Sequence, residues 1–187
     1  MAEVRHRFQA AGRVRLLRRA LIAIGALLAL LVAPVASSTP TPVYRIDHVV
    51  DGDTVDLSNG ARIRLVQIDT PEVYFGTECY GLQASAITKR LLPPGTTVRL
   101  AAEPATDRVD TYGRLLRYVI RARDGVNINV YLVRIGAAAP YFYDHRRGRY
   151  AALLDRLARR ARTRHLGLWG ACPHTPYDPY RGVATRR

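Results

Sequence analysis

The chain has 187 residues, of which 29 are Lys or Arg and 15 are Asp or Glu, for a formal net charge of +14. Its content of 48% hydrophobic and 24% charged residues is typical of a globular domain and excludes whole-chain disorder, collagen and coiled coil. Two cysteines cannot build a four-cysteine zinc site, and the five histidines form no His-Glu-x-x-His run. Walker A, Gly-x-Ser-x-Gly and Gly-x-Gly-x-x-Gly motifs are also absent, which excludes the most common enzyme signatures.

The N-terminal segment has the order of an export signal. Residues 1–19 carry six arginines against one acid, and residues 20–36 then run without a charge. This apolar run is shorter than the roughly 20 residues of a spanning helix and leads into small residues suited to a signal peptidase. We therefore predict that residues 1–38 are an export signal, so that the protein is secreted or otherwise extracytoplasmic. A retained membrane anchor through residues 20–36 is the alternative.

A linker over residues 39–43 leads to three segments with β-strand patterns. These are residues 44–50, 54–57 and 61–68. Asn59-Gly60, between the last two, is a strong hairpin signal because both positions of a type I′ turn need positive φ. We predict a three-strand meander.

The rest of the chain adds helices and two more strands. Apolar spacings of three and four residues predict helices at 78–92, 129–136 and 149–165, and strand patterns occur at 97–102 and 114–121. Closing five short strands removes exposed sheet edges. The predicted fold is therefore α+β and mainly β: a five-stranded OB-fold barrel with about three covering helices.

The predicted domain spans residues 44–172, and a basic, flexible tail is expected over residues 173–187. Outside the export segment the chain is still rich in arginine, which favours polyanions such as nucleic acid. A generic solvated basic surface is the alternative. In an exported chain Cys79 and Cys172 can oxidise to a disulfide, with two free thiols as the alternative.

Three polar clusters lie at turns between the predicted strands. They are Asp51-Gly52-Asp53-Thr54, the run from Arg64 to Glu72, and Asp110-Thr111-Tyr112-Gly113-Arg114. Each one alone is most often a solvated turn. In the second cluster, strand alternation places Arg64 and Asp69 on opposite faces, and Pro71 ends the strand. Asp69 and Glu72 at that strand end are a candidate site for a hard cation.

Together the clusters supply carboxylates for a cation, a further carboxylate for proton transfer and two arginines for a phosphate. Oxygen ligands without thiolates or a compact histidine set favour Ca²⁺ or Mg²⁺ over zinc. Phosphodiester hydrolysis needs a metal to polarise the phosphoryl oxygen, a positioned water and guanidinium groups for the charge that develops in the transition state. The inventory therefore favours a phosphodiesterase.

In this order, the three clusters resemble the motifs of the staphylococcal nuclease (thermonuclease) family. The similarity runs from about Tyr44 to Trp169. It includes four further motifs: Glu78-x-Tyr80-Gly81-x-x-Ala84-Ser85, Leu132-Val133-Arg134-x-Gly136, Tyr141-x-Tyr143 and Leu168-Trp169. The resemblance implies an OB-fold, Ca²⁺-dependent nuclease that acts on single- and double-stranded DNA and RNA and cuts the 5′ P–O bond to leave 3′-phosphate ends.

The resemblance also implies roles around the metal. Asp53 and Asp69 would bind Ca²⁺ through their side chains, and Thr70 through its backbone carbonyl. Glu72 would act on the attacking water, either as general base or as the group that orients it.

Further roles concern the substrate. Arg64 and Arg114 would bind the scissile phosphate and stabilise the transition state. Tyr112 would hydrogen-bond a terminal phosphate. Tyr141 or Tyr143 would stack on a base, a contact worth roughly 1 to 3 kcal/mol.

The chain departs from the family pattern at the loop over residues 73–78, at Gln83, near Pro140 and at its two cysteines. The loop over residues 73–78 is shorter than in the staphylococcal enzyme and lacks its lysines. Cys79 and Cys172 are absent from the staphylococcal enzyme, and their positions favour a disulfide between the first helix and the C-terminal segment.

A non-catalytic OB-fold module that binds nucleic acid is the alternative function. The presence of all five ionisable residues assigned to metal binding and catalysis favours the enzyme. Nothing in the sequence indicates an obligate protein partner, so we expect a monomer, with membrane contact only if residues 20–36 are retained.

Overall fold

Five strands close into a barrel, which confirms the predicted fold class. The computed structural model describes residues 41–74 and 76–185, and the unit that contains them begins at Thr41. In chain order the strands are β1 (Tyr44–Val49), β2 (Thr54–Leu57), β3 (Arg62–Leu65), β4 (Ile68–Asp69), β5 (Thr97–Ala101), β6 (Leu115–Arg121) and β7 (Ala139–Pro140). The barrel order is β1-β2-β3-β6-β5, and β4 pairs with β7 in a separate two-stranded sheet. The predicted export signal lies outside the described residues.

The first three strands form the predicted meander. β1 and β2 are antiparallel with Val49 opposite Val55, and β2 and β3 are antiparallel with Val55 opposite Ile63. In the turn between β2 and β3, Gly60 has φ +83°, but Asn59 does not have a positive φ, so the hairpin is present without the predicted type I′ turn. β3 then pairs in parallel with β6, and β5 joins β6 to β1, which closes the barrel.

The barrel interior is apolar. Each barrel strand contributes at least one fully buried side chain, among them Ile46, Val55, Ile63, Val98 and Val119. Burying a side chain of this size contributes roughly 1.5 to 3 kcal/mol, so the packed interior gives the site residues at the strand ends a rigid base.

Helices α1 (Gly81–Leu91), α2 (Ile128–Arg134) and α3 (Ala151–Thr163) match the three predicted helices, with bounds that differ by one to three residues. A fourth helix, α4 (Leu168–Ala171), is a single turn that the sequence pattern does not predict. Buried residues of α2 and α3, including Leu132 and Leu154, join the same core as the barrel strands.

The third predicted strand is wrong beyond Leu65. β3 ends there, Gln67 adopts φ +64°, and the chain resumes extended pairing only in β4. The Gln67 side chain compensates for this strained backbone: its Nε2 donates to the carbonyl of Arg146 (2.8 Å), and its Oε1 accepts from the amide of Gly148 (2.7 Å). The break cancels the predicted alternation, so that Asp69 turns toward Arg64 instead of away from it.

The C-terminal segment also differs from expectation. Residues 173–185 were expected to be flexible, but they pack onto the domain through specific hydrogen bonds. The carbonyl of Pro179 accepts from the amide of Phe142, and the Tyr177 hydroxyl donates to Asp155 (2.7 Å). Val183 is buried. The polar composition that suggested disorder instead supplies the partners that hold this segment in place.

A disulfide joins Cys79 to Cys172, 93 residues apart in sequence, with a Cα–Cα distance of 6.1 Å. It links the residues before α1 to the end of α4. Among the residues described, no helix is long and apolar enough to cross a membrane.

Candidate active site

The centre of the candidate site is an arginine held between two carboxylates. Arg64, on β3, places its Nε 3.0 Å from Oδ1 of Asp53 and donates from Nη2 to Oδ1 of Asp69 at 2.6 Å. All three side chains are largely buried. Asp53 immediately precedes β2 and Asp69 ends β4, so three strands that follow one another in the chain contribute to one cluster.

The turn before β2 fixes Asp53. Oδ1 of Asp51 accepts the backbone amides of Asp53 (3.0 Å) and Thr54 (2.7 Å), which shapes the turn. Oδ2 of Asp53 accepts from both the amide and the hydroxyl of Thr70, at 2.8 and 3.0 Å. Gly52 lies against the same threonine: a Cβ at Gly52 would fall 2.5 Å from Oγ1 of Thr70, so any larger residue would push this contact apart.

The cluster contains two carboxylates but only one guanidinium group. Burial raises the pKa of Asp53 to about 7; the Arg64 guanidinium opposes this shift, and the charges of Asp69 and Asp51 add to it. Burial also raises the pKa of Asp69, against the lowering effects of Arg64 and of the Val183 amide. One guanidinium therefore does not offset the burial of two carboxylates, and an additional cation would stabilise both in their ionised form.

The donor set fits a hard divalent cation. Asp53 and Asp69 offer carboxylate oxygens beside the backbone of Thr70, and oxygen ligands are those that Ca²⁺ and Mg²⁺ take. Over residues 41–74 and 76–185, no group of three or more His, Cys, Asp or Glu side chains is placed to hold a metal ion. A cation at this cluster would take two carboxylates and complete its coordination with carbonyl, water or substrate oxygens.

Glu72 lies in the loop after β4, with its side chain exposed. Its backbone is fixed by Glu78, whose Oε2 accepts the Glu72 amide at 3.0 Å and whose own amide donates to the Glu72 carbonyl at 2.9 Å. Although Glu72 is exposed at the surface, desolvation of its carboxyl by the surrounding protein raises the pKa, and the negative charges of Asp69 and Asp51 raise it further. This carboxyl group therefore lies within the electrostatic field of the cluster.

Arg114 and Tyr112 form a second group, held by Asp110. Oδ2 of Asp110 accepts from Nε of Arg114 at 2.6 Å, and Oδ1 accepts the backbone amides of Tyr112 and Arg114. The Arg114 guanidinium lies 5.1 Å from the centre of the Tyr112 ring, and Tyr112 is 84% exposed. Arg114 makes no hydrogen bond to Asp53, Arg64 or Asp69 in the described part of the chain.

The β3–β6 ladder brings the backbone of the two arginines close together. Arg64 pairs with Leu116 across this parallel ladder, and Arg114 precedes the first residue of β6. The two arginines therefore lie near the same end of β6.

Tyr141 lies beside the carboxylate cluster. Its amide donates to the carbonyl of Gln67 (3.0 Å), and burial together with the charge of Asp69 raises the pKa of its hydroxyl. Its ring meets Tyr143 edge to face at 6.2 Å, and Tyr143 is 68% exposed. The pair therefore forms an accessible aromatic surface next to the cluster.

Comparison with known proteins fits this geometry. A family model described as Staphylococcal nuclease homologue matches residues 62–171, more than half of the chain. The chain belongs to the staphylococcal nuclease family. The match begins at the first residue of β3, so it includes Arg64, Asp69, Glu72 and Arg114 but not Asp53.

Individual relatives in this family extend the comparison. Thermonuclease of Staphylococcus intermedius is 32% identical over 132 residues, which is 67% of this chain and 75% of that protein. An uncharacterized endonuclease of Escherichia coli O157:H7 is 35% identical over 135 residues, 71% of this chain and 80% of that protein. Endonuclease YhcR of Bacillus subtilis (strain 168) is 36% identical over 109 residues, but the chain spans only 9% of its length.

Three supporting residues have no role in the prediction from the staphylococcal nuclease motifs. Asp51 and Asp110 belong to those motifs, two and four residues before Asp53 and Arg114, and shape the turns that present them, so the sequence does contain a signal for both. Val183 donates its amide to Oδ2 of Asp69 at 2.9 Å, from 114 residues away. A main-chain donor at that separation leaves no sequence signal.

Proposed function

We propose that this chain is a Ca²⁺-dependent nuclease that hydrolyses phosphodiester bonds of DNA and RNA at the 5′ P–O bond and leaves 3′-phosphate ends. That it is a nuclease, and hence a hydrolase, follows from its family and from relatives named thermonuclease and endonuclease. The observation that carries the finer proposal is the buried cluster of Asp53, Arg64 and Asp69, in which two carboxylates share one guanidinium.

In this proposal Asp53, Asp69 and the Thr70 carbonyl hold Ca²⁺. When bound, the ion polarises a phosphoryl oxygen and offsets the negative charge that builds up during hydrolysis. Arg64 lies between the two carboxylates, and in this proposal it exchanges one of these contacts for a phosphate oxygen beside the metal. The turn hydrogen bonds from Asp51 and Thr70 keep the ligands in place before substrate arrives.

Glu72 accepts a proton from the attacking water or orients that water. Its raised pKa moves it toward the pH at which a general base exchanges protons efficiently, and its loop position leaves room for water and substrate. Arg114, held by Asp110, donates to the charge that develops on the phosphate. Tyr112 binds a terminal phosphate, and Tyr141 or Tyr143 stacks on a base.

The test is cleavage of single-stranded DNA and RNA by the purified chain with Ca²⁺, with a chelator and with Glu72→Gln, followed by mapping of the ends. We expect Ca²⁺-dependent cutting with 3′-phosphate ends, lost in the chelator and in Glu72→Gln. Asp47→Asn, which alters an exposed carboxylate on β1, is the control and should cut normally.

Two outcomes would change the proposal. Full activity in chelator would refute the role of the metal. No cutting with any divalent ion, together with salt-sensitive binding of nucleic acid, would instead identify a non-catalytic binding module.

We further propose that the protein works outside the cytoplasm as a monomer. The Cys79–Cys172 disulfide supports this location, because such bonds persist in oxidising compartments. The intact mass of the protein recovered from its native compartment distinguishes removal of residues 1–38 from retention of an anchor through residues 20–36.

A further inference from the structure

The segment after α4 returns twice to the same residue. We name residues 173–185 the C-terminal strap. At its start, Cys172 is bonded to Cys79 through the disulfide; at its end, the hydroxyl of Thr185 donates to the carbonyl of Cys79 at 2.6 Å. The strap is therefore a loop whose two ends are fixed at one point, just before α1.

Between these anchors the strap passes directly over Asp69. The Val183 amide donates to Oδ2 of Asp69 at 2.9 Å, and the Val183 side chain is buried with Ala139, Leu168 and Trp169. Gly182 has φ +74°, and a Cβ at this position would lie 2.8 Å from Oδ2 of Asp69. Only glycine gives both this backbone conformation and this close approach.

The C-terminal strap supplies a second hydrogen bond to the Asp69 carboxylate, which the barrel contacts through one oxygen only. Arg64 contacts Oδ1 of Asp69, and Val183 contacts Oδ2. Two donors, one to each oxygen, fix both the position of the carboxylate and the rotation of its plane. Carboxylates that bind metals depend on such outer hydrogen bonds, and losing one typically lowers metal affinity about 10- to 100-fold.

We infer that the C-terminal strap is a positioning element of the metal site, in which the Val183 amide orients Asp69 for the cation. This inference rests on the proposed function, since it concerns the same cation. It adds that a segment beyond the family match, which ends at residue 171, tunes the affinity for that cation.

The test measures Ca²⁺ binding to the purified full chain by calorimetry and compares two glycine substitutions. Gly182→Ala introduces a Cβ that displaces Asp69 from the Val183 amide. Gly125→Ala is the matched control, because Gly125 has nearly the same φ, +71°, but nothing within 4 Å of the added Cβ. We expect Ca²⁺ affinity to fall about 10-fold or more in Gly182→Ala and to stay within about two-fold in Gly125→Ala.

A second variant removes the donor without adding a clash. A chain that ends at Arg181 lacks Val183, and we expect it to bind Ca²⁺ about 10-fold or more weakly, while a chain lacking only residues 186 and 187 binds normally. At saturating Ca²⁺ both weakened variants should regain most of their turnover, and without Ca²⁺ their far-UV circular dichroism should match that of wild type, which a general loss of folding would not allow.

Each outcome decides a different point. Wild-type Ca²⁺ affinity in Gly182→Ala and in the truncated chain, or tighter binding in either, would overturn the role of the strap while leaving the proposed function standing. If wild type itself binds no Ca²⁺, the calcium assignment fails, and the inference fails with it.

Discussion

Arg114 shows how a single residue depends on its neighbour. The Asp110 carboxylate holds its Nε and shapes the turn that carries it, so the guanidinium is oriented before substrate binds. Such orientation matters because a donor contributes to catalysis only if it already points at the charge that forms.

We expect Arg114→Ala to lower kcat on the order of 10²-fold, since it removes one donor to the transition state. Arg114→Lys should restore little of the lost turnover, because an ammonium group cannot bind two phosphate oxygens at once as a guanidinium group does. Asp110→Asn should cause a smaller loss. Steady-state cleavage assays measure these effects, and Arg123→Ala, at an exposed arginine, is the control. Near-wild-type turnover in Arg114→Ala would refute the role of Arg114 in stabilising the transition state.

Glu103 is a buried carboxylate outside the candidate site. Burial alone would raise its pKa, but the amides of Arg149 and Ala105 and the Tyr118 hydroxyl outweigh burial, so the pKa is lowered. A carboxyl group with a lowered pKa in the folded state stabilises the protein above its unfolded pKa, and this contribution is lost as pH falls through the folded value.

Glu103→Gln should therefore lower the free energy of unfolding by about 1 to 3 kcal/mol near pH 7, because an amide cannot accept the same hydrogen bonds. The difference from wild type should shrink as pH falls below the ordinary glutamate range, about 4. Urea unfolding at several pH values measures it. A difference that stays constant with pH would show that ionisation of Glu103 is not involved.

At the scale of elements, regular segments were predictable and short pairings were not. The helices and the meander follow from local spacing and from Asn59-Gly60. The two-residue strands β4 and β7 depend on pairing between Ile68 and Pro140, 72 positions apart, which no local pattern signals. The break at Gln67 likewise depends on partners in the loop near Gly148.

We expect Gln67→Ala to destabilise the fold by about 1 to 3 kcal/mol, because it leaves the Arg146 carbonyl and the Gly148 amide without their partner. Nuclease activity should also fall, since the break at Gln67 turns Asp69 toward Arg64. Gln83→Ala, the same change at an exposed position of α1, should shift stability by no more than about 0.5 kcal/mol. Denaturant unfolding compares the two, and equal effects would contradict this account.

Across the whole molecule, the Cys79–Cys172 disulfide closes a loop that contains barrel strands β5 and β6 and all three longer helices. The chain-entropy relation gives about 4 to 5 kcal/mol for a loop of this length. Replacing both cysteines with serine should lower the free energy of unfolding by about that amount. A chemical unfolding curve in the absence of reductant measures the change, and a loss under 1 kcal/mol would show that the bond constrains little.

The residues that a motif can name could be predicted from the sequence, because each contributes a side chain at fixed spacing, as Asp53, Arg64 and Glu72 do; their roles stay predictions. The arrangement of these residues relative to one another could not be predicted correctly, since strand alternation put Arg64 and Asp69 on opposite faces. The strap was missed as well, because its contact with Asp69 uses a backbone amide that any residue carries.

The contact between Val183 and Asp69 also sets an order of events during synthesis. The two residues are 114 positions apart, and at about 5 to 20 residues per second the ribosome needs roughly 6 to 23 s to travel between them. The barrel residues around Asp69 are thus made well before their last partner exists. A newborn chain therefore passes through an interval in which Asp69 lacks its hydrogen bond from Val183 while the chain is still attached to the ribosome and its messenger RNA.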